Sequence, residues 1–392
     1  MPRVIGAVAI AMCALGGAGA AERAVGRLDG SVIAPAAIER TVRRLIQAAD
    51  VPGLAVAILN NGKVAYVHAF GERDRARHLP LTIDSVMTAA SFTKSAFACV
   101  VMQLVEERTL DLDKPVHEYL PKPLPEYARY ADLAGDDRYQ RITARMLLSH
   151  TAGFPNLRAL NRGRLNINFD PGSRYAYSGE GIQLLQFIVE QVTGVRLDRL
   201  MQQRLFEPFG MKRTSMVWEQ SFESDFANGY DEQGRSLGPQ RRRTADAAGS
   251  MQTTIADFSR FLAGVMQGRT LKRQTRTLMF TPQVAISSRT QFPSLATDTT
   301  DRNDAIRLSY GLGWGLFYTP LGMAFFKEGH DNGWQHYAVA FDDRGAAMVL
   351  MSNGSNAEGI FPELLQQLMT NTYTPLEWEG YVPYDRKPPP SR

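Results

Sequence analysis

Cysteine is almost missing from this chain: Cys13 and Cys99 are its only two in 392 residues. If the first twenty residues are a leader, as argued below, only Cys99 stays, so no internal disulfide forms and no cysteine cluster can hold zinc. Cys99 lies in an apolar segment, where a thiol acts as a small buried hydrophobe. Histidine is also scarce, six in all, and no pair flanks a glutamate at the helical spacing of a zinc hydrolase. A glycine-rich phosphate loop followed by lysine is absent. So is a G-x-S-x-G elbow, which excludes the α/β-hydrolase route to a serine nucleophile. No repeat of fixed period occurs. No apolar run has bilayer length, so stable membrane insertion is not expected. The one charge run, Arg241 to Arg243, lacks interleaved aromatics and reads as solvated surface, with no nucleic acid as partner. No cofactor, no metal and no obligate protein partner are implied.

What is present is ordinary globular composition, 44% hydrophobic and 21% charged, in a chain long enough for a large core. The start, MPRVIGAVAIAMCALGGAGAAE, has one arginine, an apolar run from Val4 to Leu15, and Ala18, Gly19 and Ala20 in an A-x-A arrangement. This predicts a secretory signal peptide over residues 1–20 and a secreted or periplasmic location. The run is too brief for a membrane anchor. Loss of Arg3 with the leader lowers the formal charge from +4 to +3.

Periodicity then orders the chain. Ile38, Val42, Leu45 and Ile46 recur at helical spacing over 36–50. LAVAILNNGKVAYVHAFGERD alternates around Asn61 and Gly62, a hairpin turn pair. Residues 92–108 read as an apolar helix. Short helices and loops, punctuated by proline, fill 113–250. YGLGWGLFY (310–318), MAFFKE, QHYAVAFDDRG and AAMVLMSNG read as strands, with a turn at Asp342 to Gly345, and IFPELLQQLMT as a closing helix. The stretch from Tyr381, with its final proline run, reads as a loose extension. Strands at both ends around a helical middle predict an α+β fold: one antiparallel sheet from both chain ends, about 31–82 and 306–375, flanked by helices, with an inserted all-helical subdomain at about 100–250. The whole reads as one domain over 31–384.

Three elements carry chemistry. In AASFTKSAFA, Ser91 stands three residues before Lys94, one helical turn away on the same face. A hydroxyl attacks a carbonyl only if a nearby group takes its proton, and a lysine can do so if its pKa is lowered. About 0.4 such spacings are expected by chance, so context must support it. In FDPGSRYAYSGEGIQLLQ, Tyr177 sits on a loop before a helix expected from Ile182. A phenol there could relay protons, its anion favoured beside an ammonium group. In KEGHDNGWQHY, His330 to Gly333 fall between two strands, where a sheet edge can lend N–H groups to a developing oxyanion.

Together these elements resemble the S-x-x-K serine hydrolases of the class C β-lactamase and penicillin-binding protein family. So do DLDKPVHEYLP, ITARMLLSHTAGFPN, LFEPFGMKRTSM, DAAGSMQTTIADFSRFL and YGLGWG, which recur there in this order. The resemblance runs from about Ile38 to Tyr384. It implies a β-lactamase/DD-peptidase-like fold with Ser91 as acylated nucleophile, Lys94 as proton acceptor and Tyr177 as proton shuttle. His330 opens the third motif, His330-Asp331-Asn332, and the N–H groups of Ser91 and Gly333 form the oxyanion hole. His150 is expected to fix a loop by hydrogen bonds. Two departures stand out: Gly179 replaces an asparagine that contacts substrate, and the third motif lacks the lysine of Lys-Thr-Gly, with Asn332 in place of its glycine. The implied activity is a secreted serine hydrolase acting through an acyl-enzyme on a small-molecule or peptide ester or amide, D-amino-acid peptides and β-lactams among them. The alternative is a catalytically silent relative that serves as a binding or assembly protein of the cell envelope.

Overall fold

The computed structural model describes residues 24–269 and 271–386; the expected leader and the proline run at 388–390 lie outside them. Nine strands form one sheet: β1 (Gly53–Asn60), β2 (Lys63–Asp74), β3 (Leu79–Pro80), β4 (Val284–Ala285), β5 (Ser309–Tyr310), β6 (Gly315–Thr319), β7 (Gly322–Asp331), β8 (Trp334–Phe341) and β9 (Ala346–Ser352). Their spatial order is β4-β5-β6-β7-β8-β9-β1-β2-β3. Every neighbouring pair is antiparallel. The two chain ends join at β9–β1, where Leu350 lies opposite Val56 and Ser352 opposite Leu54. The sheet is therefore built from both termini, as the strand pattern implies.

Local chemistry explains the pieces. Asn61 (φ 51°) and Gly62 (φ 66°) both take the left-handed conformation that a two-residue hairpin matched to strand twist requires. Along β1 the side chains divide by parity. Ala55, Ala57 and Leu59 enter one core, while Leu54, Val56 and Ile58 enter another on the opposite face. The second core is closed by α1 (Pro35–Ala48) and α5 (Phe361–Met369). Ile38, Val42 and Leu45 of α1 are wholly buried, and each such side chain contributes about 2 kcal/mol through burial. The first core is closed by α2 (Phe92–Glu106) and α4 (Ile255–Met266). α2 is apolar on all sides and buried along nearly its whole length, as a helix enclosed between sheet and inserted region must be.

Four expectations need correction. Residues 310–318 are not one strand: β5 and β6 are separated by a turn in which the Gly311 N–H donates to the Trp314 carbonyl at 2.9 Å. Gly313 (φ 87°) lets α2 approach there, since a Cβ would stand 2.3 Å from that of Ala98. The helix α3 (Gly179–Thr193) begins before Ile182 because Ser178 caps it, its hydroxyl accepting from the Gly181 N–H at 2.8 Å. The inserted region is not wholly helical, since Gly229–Tyr230 pairs with Ser236–Gly238. Finally, residues 381–384 are no loose extension: Tyr381 and Tyr384 pack on the second core, and Tyr384 lies against Gly359.

Candidate active site

Ser91 occupies the N-cap of α2, yet its hydroxyl makes no capping bond and stays free for chemistry. Ala90 before it is held at φ 47°, a conformation that costs a non-glycine residue of order 1 kcal/mol and persists only where the surroundings enforce it. The Ala89 N–H donates to the Met251 carbonyl, and Thr93 Oγ1 ties the Ala90 carbonyl to the Met251 N–H. One turn on, Lys94 Nζ lies 3.0 Å from Ser91 Oγ and 2.6 Å from the Ala248 carbonyl. Lys94 is buried. Burial first, and the Lys327 charge second, lower its pKa to about 7 against the pull of Asp246 and Glu328. A neutral amine is then available at ordinary pH.

Tyr177 comes to the same place from the loop before α3. His150 holds that loop: its Nδ1 accepts the Ser178 N–H at 3.2 Å, its carbonyl accepts the Ala176 N–H at 2.8 Å, and its ring packs among Tyr175, Tyr177 and Tyr310. Burial drives His150 well below its ordinary pKa, so the ring is neutral and can accept. The Tyr177 hydroxyl receives a hydrogen bond from Lys327 Nζ at 3.2 Å, and Ser91 is near enough to favour its anion. Here the expected phenolate is not favoured. Burial, then Glu328, push the phenol well above its ordinary pKa, outweighing the effect of Ser91.

The third element departs most from expectation. His330 turns away from Tyr177, its Nδ1 2.7 Å from Glu358 Oε1. The Gly333 N–H donates to Ser355 Oγ at 2.9 Å, and Asn332 lies in the exposed turn after β7. The cation beside Tyr177 is Lys327, three residues earlier, so the strand reads Lys327-Glu328-Gly329 where the site needs it and no lysine is lost. With eight lysines in the chain, one inside a strand and two residues before a glycine was the available signal. Gly329 lies against the segment leading to Ser91, where a Cβ would stand 2.9 Å from the Ala89 carbonyl oxygen. His336 Nε2 is 2.7 Å from the Thr88 carbonyl of that segment.

Alternation along β7 decides which backbone donors are open. Thr319–Gly322 and Asp331–Trp334 each flank a two-residue turn, so even-numbered residues of β7 direct N–H and C=O toward β6 and odd-numbered ones toward β8. Pairing with β6 ends at Phe326. Beyond it, the main-chain groups of Glu328 and His330 face an edge without a strand. The Ser91 N–H makes no backbone hydrogen bond among the described residues.

Gly179 is glycine for a local reason. Its N–H and that of Glu180 donate to the Asn156 carbonyl, Asn156 Oδ1 also accepts from Gly179, and a Cβ at 179 would lie 2.8 Å from that carbonyl oxygen. Asn156 thus occupies the space beside the first turn of α3. Phe292 stands edge-on to Tyr177, ring centres 5.5 Å apart. Among the described residues no group of three histidine, cysteine, aspartate or glutamate side chains could hold a metal ion, and no helix is long and apolar enough to cross a membrane.

An antiparallel sheet from both chain ends, a serine at a buried helix start and a lysine and tyrosine around it define the architecture of the S-x-x-K serine hydrolases. The chain belongs to the beta-lactamase family, whose pattern matches residues 38–368. It is 24% identical over 305 residues to a beta-lactamase of Pseudomonas fluorescens, covering 75% of this chain and 77% of that one. It is 25% identical over 339 residues to penicillin-binding protein 4 of Amycolatopsis lactamdurans, covering 81% and 85%. The octameric penicillin-binding protein homologue from Pyrococcus abyssi superimposes with a TM-score of 0.69 at 22% identity, covering 85% of this chain and 77% of that one.

Proposed function

We propose that this protein is a secreted serine hydrolase that acylates Ser91 with the acyl group of an ester or amide. The observation that carries the reading is Lys94 Nζ at 3.0 Å from Ser91 Oγ in a setting that lowers its pKa to about 7. Neutral Lys94 takes the Ser91 proton as Oγ bonds to the substrate carbonyl carbon. The N–H groups of Ser91 and His330 receive the charge that grows on the carbonyl oxygen. Removing one donor of this kind costs about 3 kcal/mol in transition-state stabilisation. As the carbonyl re-forms, the bond to the leaving group breaks; Tyr177, hydrogen-bonded by Lys327, gives its proton to the departing oxygen or nitrogen and takes back the one Lys94 had accepted from Ser91. Water then enters by the reverse proton path and releases the acid. Lys327, Glu328 and Gly329 serve as the third motif in this reading.

Secretion is supported by the leader-like residues 1–20. The test is a fluorophosphonate probe and a short p-nitrophenyl ester, with wild type and Ser91→Ala side by side. Wild type should be labelled and turn over the ester, while the variant does neither yet melts at the same temperature. Folded wild type that is neither labelled nor active would leave the silent binding protein as the better description.

A further inference from the structure

We propose, on the strength of the hydrolase reading, that Glu328 sets a preference for neutral substrates by occupying the cation that could otherwise receive a carboxylate on the leaving group. Among the described residues, Lys327, His330, Arg242 and Lys94 are each engaged. Lys327 Nζ lies 2.7 Å from Glu328 Oε1, the two side chains 0% and 5% exposed. His330 Nδ1 lies 2.7 Å from Glu358 Oε1, and Arg242 Nη2 lies 2.7 Å from Asp331 Oδ2. Lys94 is given to Ser91 and the Ala248 carbonyl.

Glu328 is fixed from a second side as well, Oε1 accepting from the buried Gln291 Nε2 at 3.2 Å. A substrate carboxylate approaching Lys327 meets a carboxylate already in place. Bringing a second one into a desolvated site costs far more than solvated charges of the same separation would. A threonine or serine at 328 would leave the ammonium uncompensated and attractive to an anion. Exposed apolar side chains stand among these charged pairs. Phe292, 43% exposed, faces Tyr177, Leu157 follows the Asn156 that abuts Gly179, and Leu237 lies beside Gly333. The substrate class is a neutral ester or amide with an apolar substituent and no acid on the departing group.

The test compares 3-carboxyphenyl acetate with 3-carbamoylphenyl acetate, each rate normalised to its alkaline hydrolysis. Wild type should favour the carbamoyl ester by about tenfold or more in kcat/KM, mainly through KM. In Glu328→Thr and Glu328→Gln the ratio should fall to within about threefold or reverse. Equal or better use of the carboxylate by wild type overturns the inference, as does a ratio that neither substitution changes. Absence of both turnover and fluorophosphonate labelling overturns the hydrolase reading itself, and this inference with it.

Discussion

Lysine can act as a general base here only to the extent that it is neutral, which makes the pH dependence of acylation the sharpest test of the site. At its ordinary value of 10.5, about one lysine in 3,000 is neutral at pH 7. With the value at about 7 in the fold, the neutral fraction is about one half at pH 7, ~0.1 at pH 6 and ~0.9 at pH 8. Burial and Lys327 together therefore raise the concentration of working base by about a thousandfold at pH 7. The logarithm of kcat/KM for a p-nitrophenyl ester should rise through pH 7 and level off, a gain of about tenfold between pH 6 and 8. The sign follows from the base being active when deprotonated.

Other groups can be separated from this limb. His336 is held at about 4 and His150 well below its ordinary value, both by burial, and Tyr177 stays protonated. His330, raised chiefly by its hydrogen bond to Glu358, and Lys327, lowered by burial against the pull of Glu328, are the other candidates in the site, so the limb should survive in His330→Gln. Lys327→Met should move it to higher pH by removing a nearby positive charge, and Asp246→Asn to lower pH by removing a negative one. A flat profile from pH 6 to 8, a midpoint near 10, or disappearance of the limb in His330→Gln would refute the assignment of Lys94 as the base.

Other substitutions probe the supports of the site. Gly313→Ala places a Cβ 2.3 Å from that of Ala98, behind Lys94, at a backbone φ of 87°; it should cost about 2–4 kcal/mol in urea denaturation, and unchanged stability would show that α2 can retreat. Gly179→Asn should not act as a restoration of substrate contact: with the Asn156 carbonyl 2.8 Å from the new Cβ, it should destabilise by about 1–3 kcal/mol and slow fluorophosphonate labelling. Thr93→Val strands the Met251 N–H that Thr93 Oγ1 now accepts at 3.1 Å; melting and urea curves should record a loss of about 1–3 kcal/mol.

Much of this molecule was legible because its rules are local. The Asn61-Gly62 hairpin, the apolar stripe of α1 and the turn-spaced Ser91 and Lys94 follow from conformations that involve only near neighbours in the chain. Aromatic and β-branched content misled over 310–318, where Gly311 and Gly313 make a turn under α2 rather than continuing a strand. The third motif misled because a histidine followed by polar turn residues looked like the site, while the strand's alternation and its position against Ala89 bring Lys327 there instead.

The sequence by itself determined the paired helix positions of Ser91 and Lys94, the strands at both ends and the family pattern, since backbone periodicity sets the spacing of side chains on one element. Only the tertiary structure decided that Lys327 meets Tyr177 from 150 positions away, that Glu328 pairs with it, and that burial and Lys327 lower the Lys94 pKa to about 7. Those outcomes depend on removal of water and on charges from distant segments. Neither exists until the sheet and the helices close over them.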